Sequence, residues 1–326
     1  MKLKTLFVFV LIVIFDSALA AGVEKEKVRR GKVLANGISI AYEAFGPPQG
    51  ETILLIHGLG SQLTDWPIEL MERLAAKGYQ VIRYDHRDIG HSGKMDTLGR
   101  PDWGSIFPLI GSCGQARLPY TLNDMAADAV GLLDALEIGR AHLVGCSMGG
   151  AIAQLMAIHY PDRVLSLVSM MASSGNPARP QPDADVMKLF AEPFPDTTDP
   201  EQLAGAMMRI SKALDSPAYP TDDVLLKKKM LEHVQRSWHP EGRERHAAAV
   251  LIGDNCDRRE ALSKLKVPVV VIHGTSDPLV KIESGREVAA AIPGSRLITL
   301  EGMGHHIPEQ LIDEVVDAIL MATKGS

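Results

Sequence analysis

With 326 residues, 46% of them apolar, 23% charged and 5% aromatic, the chain can be neither intrinsically disordered nor collagen-like, and it is long enough for one α/β core with an insertion. Its 34 Lys and Arg against 40 Asp and Glu leave a net charge of −6 and no basic surplus to cover a phosphate backbone, so nucleic acid is not an expected partner.

Residues 1–20 read separately from the rest. Lys2 and Lys4 precede an unbroken apolar run over 6–15, followed by Ala18-Leu19-Ala20, the pattern of a signal peptide cleaved just before Ala21. The run is about half of the roughly 20 residues that span a bilayer, so no stable membrane span is expected after processing. The expected location is secreted or periplasmic, with an uncleaved N-terminal membrane anchor as the alternative. Cys113, Cys146 and Cys256 are too few for a disulfide framework and lie in no Cys-x-x-Cys pair. At least one thiol is therefore free, Cys146 is expected to be buried, and nothing in the sequence supports a Cys113–Cys256 bridge.

From residue 28 onward, short β-branched runs alternate with amphipathic stretches. This pattern predicts an α/β fold with a mostly parallel, doubly wound sheet. A hairpin over 32–34 and 39–42 is expected around Asn36-Gly37, a two-residue turn signal. Further strands are expected at 52–56, 81–84, 141–144, 164–169, 267–272 and 296–299, several of them apolar throughout as in strands covered on both faces. Helices are expected at 68–77, 122–136, 148–159, 284–291 and 309–321, with Thr121 or Asn123 capping the second and Pro161 stopping the third. The alternation fails over 173–261, where a Pro-rich segment at 177–195 is followed by helical patterns at 203–213, 224–234 and 242–251. The domain reading is a signal peptide at 1–20, a core in two parts at 28–172 and 262–322, and a helical cap at 173–261 inserted between them. Residues 94–119, with Gly99, Gly104, Gly111 and Gly114, form a second irregular stretch of functional length.

The strongest chemical signal is Gly145-Cys146-Ser147-Met148-Gly149, directly after one expected strand and opening a helix. A serine on such a strained turn needs small neighbours, and the helix start aims backbone N–H groups at charge developing beside it. A hydroxyl becomes a nucleophile only when a base takes its proton, and the base needs a carboxylate to set its tautomer. In this architecture the chain order is Ser, acid, His. Asp277 in HGTSDPLV and His305 in EGMGHHIP follow later strands in that order, on loops where ligands bind in parallel sheets.

Five segments in order, HGLGS at 57–61, YDHRDIGHS at 84–92, GCSMGG at 145–150, HGTSDPLV at 273–280 and GMGH at 302–305, resemble the α/β-hydrolase superfamily, and within it the esterase group that includes aclacinomycin methylesterase. A weaker similarity lies at 237–251. The resemblance implies an α/β-hydrolase fold, catalysis by Ser147, Asp277 and His305, and an oxyanion hole made by the backbone N–H groups of Leu59 and Met148. Because the family pattern places its histidine immediately after Gly-Met-Gly, His305 is favoured over His306, which is expected to pack nearby. Cys146 before the serine and the doubled histidine depart from the pattern without removing a member.

Other polar residues have plainer readings. His57 and His273 are expected to make structural hydrogen bonds at strand ends. Asp85, Arg87 and Asp88 are expected to form an internal ion pair bracing the loops around the elbow. Met148, Met156, Met170, Met171, Met207 and Met208 could line an acyl pocket or simply fill the core. No metal or phosphate motif is present, so no metal and no cofactor is expected. The expected activity is hydrolysis of a small-molecule carboxylic ester through an acyl-serine. The alternatives are a C–C hydrolase, lactonase or haloperoxidase-like enzyme with the same three residues, and a non-catalytic ligand sensor on the same fold.

Overall fold

The computed structural model describes residues 28–110, 113 and 117–325; the expected signal segment lies outside them. Eight strands form one sheet in the order β1-β2-β4-β3-β5-β6-β7-β8. They are β1 (Arg29–Ala35), β2 (Ile38–Phe45), β3 (Thr52–Ile56), β4 (Gln80–Tyr84), β5 (Ala141–Cys146), β6 (Val164–Met170), β7 (Val269–Gly274) and β8 (Arg296–Leu300). The hairpin β1–β2 and the β2–β4 pair are antiparallel, and every other pairing is parallel. Strands β3, β4, β5 and β7 are buried along their whole length, whereas β1 alternates as an edge strand does.

The helices are α1 (Ile68–Ala76), α2 (Trp103–Ile106), α3 (Leu122–Ala135), α4 (Met148–His159), α5 (Ala184–Ala191), α6 (Pro200–Ala213), α7 (Asp223–Arg236), α8 (Pro240–Gly253), α9 (Arg259–Leu262), α10 (Ile282–Ala291) and α11 (Ile312–Thr323). The period-two alternation of the strands splits the core into two layers. Leu54, Ile56, Ile82 and Leu143 pack with residues of α3, α4 and α10 on one face. Ile53, Leu55, Val81 and Val144 pack with α1 and α11 on the other. Thr121 caps α3 in a reciprocal pair with Asp124. No helix among the described residues is long and apolar enough to cross a membrane.

Helices α6 and α7 share a small apolar cluster of their own, built on Leu203, Ala204, Met207 and Val234, while α8 packs Ala248 and Ile252 against Ile106 of α2. The inserted helices reach the loops that follow β3, β4 and β8. Gln62 Nε2 donates to the carbonyls of His233 and Ser237, both at 2.8 Å. The Asp85, Arg87 and Asp88 charges form ion pairs in the interior, each with a partner on a different helix. Asp85 accepts from Arg236 of α7 at 2.7 Å, Arg87 pairs with Asp128 of α3 at 2.6 Å, and Asp88 takes Arg245 of α8 at 2.7 Å. Asp88 stands at a φ of 70°, held there by Arg245, Tyr120 Oη and the Met95 N–H. Asp96 and His239 come close to Asp88, but Arg245 supplies the cation among these carboxylates.

Cys113 and Cys256 form a disulfide that the sequence did not indicate, joining the irregular loop to the segment after α8; Cys146 is free and buried. Met148, Met156, Met170 and Met171 are core residues, Met207 belongs to the α6–α7 cluster, and Met208 lies in an open groove on the outside of those helices.

Candidate active site

Ser147 lies between β5 and α4 at φ 56°, ψ −123°, a positive-φ conformation that costs energy for any residue with a Cβ. Close packing holds it there. A Cβ on Gly145 would come within 2.2 Å of the Gly149 carbonyl oxygen, and one on Gly149 within 2.0 Å of the Ile56 carbonyl oxygen, so both glycines are required by contact. The Ser147 N–H donates to Met170 O at 2.9 Å, tying the turn to β6.

The loops after β7 and β8 bring Asp277 and His305 to this turn. His305 Nε2 lies 2.9 Å from Ser147 Oγ, and His305 Nδ1 lies 2.7 Å from Asp277 Oδ2. A carboxylate only accepts, so Nδ1 carries the imidazole proton and Nε2 is left to accept from the serine hydroxyl. Asp277 is buried, and its Oδ1 accepts from the Leu279 and Val280 N–H groups at 2.9 and 2.8 Å. Burial raises its pKa, but the charges and contacts of His305 and His273 outweigh burial and hold it well below the ordinary carboxylate range. His273 acts at a distance of 3.6 Å, since its Nε2 proton is given to Val280 O at 2.7 Å.

His306 turns away from the serine. Its Nε2 is 3.1 Å from Asp215 Oδ1, and Nδ1 is 3.4 Å from Leu214 O. Leu59 follows Gly58, where an added Cβ would stand 3.3 Å from Ser147 Cβ, and Met148 is the first residue of α4, so both positions flank the hydroxyl. Among the described residues neither N–H has a protein acceptor, as expected for the first donor of a helix. The buried Cys146 thiol is pushed up to about 12 by burial and by the Asp277 charge, which leaves it protonated and unreactive.

Sequence motifs did not point to the segment between α6 and α7. The His305 N–H donates to Leu214 O at 2.9 Å, and the Gly304 N–H donates to the buried Ser216 Oγ at 2.8 Å. Asp215 accepts from the N–H groups of Ser216 and Thr221, which folds this segment onto the histidine loop. A Ser-Pro pair is the one local signal there, and it marks a turn without saying what the turn holds.

Behind the site lies a chain of buried rings. His86 Nε2 donates to His57 O at 2.9 Å, His246 Nε2 donates to Arg87 O at 2.9 Å, and His57 sits edge-on to Trp66. Burial holds His57 and His86 at about 4 and His246 at about 3, so all three are neutral near pH 7. Folded values below the ordinary 6.5 mean that the unfolded chain binds more protons between pH 6.5 and 4. The stability gained by keeping the rings neutral is complete above about 6.5 and is lost as pH falls through about 4, roughly 3 kcal/mol per ring. Urea unfolding free energy is therefore expected to drop steeply between pH 6.5 and 4. A flat profile would mean that these rings are free to protonate in the folded protein.

Residues 51–310 match the family described as alpha/beta hydrolase fold. Rhodomycin D methylesterase DnrP of Streptomyces peucetius is 29% identical over 310 residues, covering 89% of this chain and 96% of that protein. A 2-hydroxy-6-oxononadienedioate/2-hydroxy-6-oxononatrienedioate hydrolase of Burkholderia vietnamiensis is 29% identical over 262 residues, covering 78% of this chain and 81% of its own length. Among solved structures, a meta-cleavage product hydrolase of Pseudomonas fluorescens superposes with a TM-score of 0.68 at 21% identity over 90% of this chain and 97% of the other, a likeness of fold. With sheet order, elbow and family match in agreement, the chain belongs to the α/β-hydrolase family.

Proposed function

We propose that the protein hydrolyses a carboxylic ester of a small molecule through an acyl-serine intermediate on Ser147. The observation that carries this reading is the hydrogen-bonded line from Ser147 Oγ through His305 to Asp277. The likeness to a methylesterase along most of the chain supports it. Ser147 Oγ attacks the ester carbonyl carbon while His305 Nε2 takes the hydroxyl proton, and Asp277, ionised at any working pH, stabilises the imidazolium that forms. The Leu59 and Met148 N–H groups receive the oxyanion, each donor worth about 10² to 10³ in rate. Collapse expels the alcohol, which takes the proton from His305. Water then attacks the acyl-enzyme with His305 again as base, releasing the acid and restoring Ser147.

A panel of p-nitrophenyl esters of increasing acyl length, with large methyl esters included, tests the reading. Turnover is expected in the wild type and is expected to vanish in Ser147→Ala. No turnover of any ester would favour a ligand sensor. The Burkholderia relative supports a second reading, C–C bond hydrolysis by the same three residues, and kcat/KM higher for vinylogous diketones or lactones than for any ester would displace the first. We also propose residues 173–261 as a cap over the site, and export of the chain after cleavage before Ala21. The Cys113–Cys256 disulfide supports an oxidising compartment, and N-terminal sequencing of the native protein decides the cleavage.

A further inference from the structure

Arg243, on α8, has no counter-ion at ion-pair distance among the described residues. Its guanidinium lies over the Phe194 ring, 5.3 Å from the centroid, and its Nη1 faces Gly60 so closely that a Cβ there would come within 2.4 Å. Among the described residues no carboxylate stands at ion-pair distance from it and no acceptor takes a hydrogen bond from its side chain. Asp65 is the one acidic influence on it, and Asp65 is engaged by His233 and by the Gln62 N–H. The side chain keeps some contact with solvent, yet protein surrounds it in most directions; burial pushes the guanidinium down to about 10, and Asp65 offsets only part of this.

The neighbouring arginines make the contrast. Arg83 has Glu43, Arg87 has Asp128, Arg236 has Asp85 and Arg245 has Asp88. A half-buried cation without a partner carries a desolvation cost, of which contact with one aromatic face recovers part. If packing of the stem were all that was needed, Met or Leu would supply it without that cost.

Gly60 lies two residues beyond Gly58, which abuts Ser147, a chain span of at most about 7 Å. Arg243 also borders a narrow, partly open space of about 20 Å³ shared with Gln62 and Trp238, room for about one water. We propose, building on the ester-hydrolase reading, that Arg243 anchors a carboxylate on the substrate a few bonds from the scissile carbonyl. The preferred substrates are then esters carrying a free carboxylate, such as half-esters of short dicarboxylic acids.

Two p-nitrophenyl esters of equal chain length test this, one of glutaric acid with its distal carboxylate free and one of valeric acid. The wild type is expected to favour the glutarate ester at least tenfold in kcat/KM, and Arg243→Met to lower that ratio by about tenfold to hundredfold, with Arg243→Lys between. Arg243→Met is also expected to leave the melting temperature unchanged or raise it, because no ion pair is broken and the loss of the contact with Phe194 is offset by removal of a half-buried charge. An unchanged ratio in Arg243→Met, or a lowered melting temperature without a change in ratio, overturns the proposal and makes Arg243 structural. Calorimetric titration of glutarate into Ser147→Ala, with and without Arg243→Met, reads the anion site without turnover. Arg243-dependent binding there, alongside a dead wild type, would sink the esterase reading and leave the anion site standing. Inorganic phosphate binding more tightly than glutarate would overturn the carboxylate assignment.

Discussion

Asp277→Asn is expected to lower kcat by about 10⁴ while the protein stays folded. The fold should survive because an amide oxygen can still accept the Leu279 and Val280 N–H groups that Asp277 Oδ1 holds. What is lost is the second oxygen. In its place an amide N–H would face His305 Nδ1, driving the imidazole proton to Nε2, where it meets the serine hydroxyl instead of accepting from it. The imidazolium would also form without a neighbouring negative charge. Circular dichroism with steady-state kinetics reads both halves of the expectation. A variant within tenfold of wild type would remove Asp277 from the chemistry. Asp183, the first acidic residue after β6, does not replace it, being paired with Lys281 at 2.8 Å.

The adjacent histidines should separate by orders of magnitude. His305→Ala removes the base and is expected to abolish the acylation burst and to cost about 10⁵ to 10⁶ in kcat, leaving only what the oxyanion donors and binding supply. His306→Ala removes a side chain bound to Asp215 and the Leu214 carbonyl, while the backbone bond from His305 N–H to Leu214 O survives. Its expected cost is below about tenfold in kcat with about 1 kcal/mol of stability. If His306→Ala were the dead variant and His305→Ala the active one, the histidine loop would sit in a register shifted by one residue.

Much of the core was legible because the strands buried on both faces are largely apolar runs, as in TILLI of β3, even where Arg83 interrupts β4 and His142 interrupts β5. The bounds slipped where the backbone and the apolar pattern disagree. The run beginning at Val267 enters the ladder only at Val269, because Pro268 has no N–H to give. Proline density likewise hid α5, an eight-residue helix fitted between Pro182 and Pro193. The elbow could be read because its steric demands are local: Gly145 and Gly149 answer contacts inside one turn and with the next strand. Partners across the insertion could not, since nothing along the chain says that Asp85 meets Arg236 across 151 residues or Asp88 meets Arg245 across 157. The same applies to Cys113 and Cys256, for which an odd count of three gave no pairing rule.

The bonds from His305 N–H to Leu214 O and from Gly304 N–H to Ser216 Oγ tie the histidine loop to the inserted segment. Under the proposed function, that tie would work as a safety catch. Were the segment to swing out to admit a bulky molecule, the two bonds would stretch and the imidazole would be drawn from the hydroxyl. Such an open molecule would load but not fire until the segment returned. Under that coupling the rate of re-docking sets a ceiling on turnover, and a substrate too large to let residues 214–216 settle is held as an inhibitor.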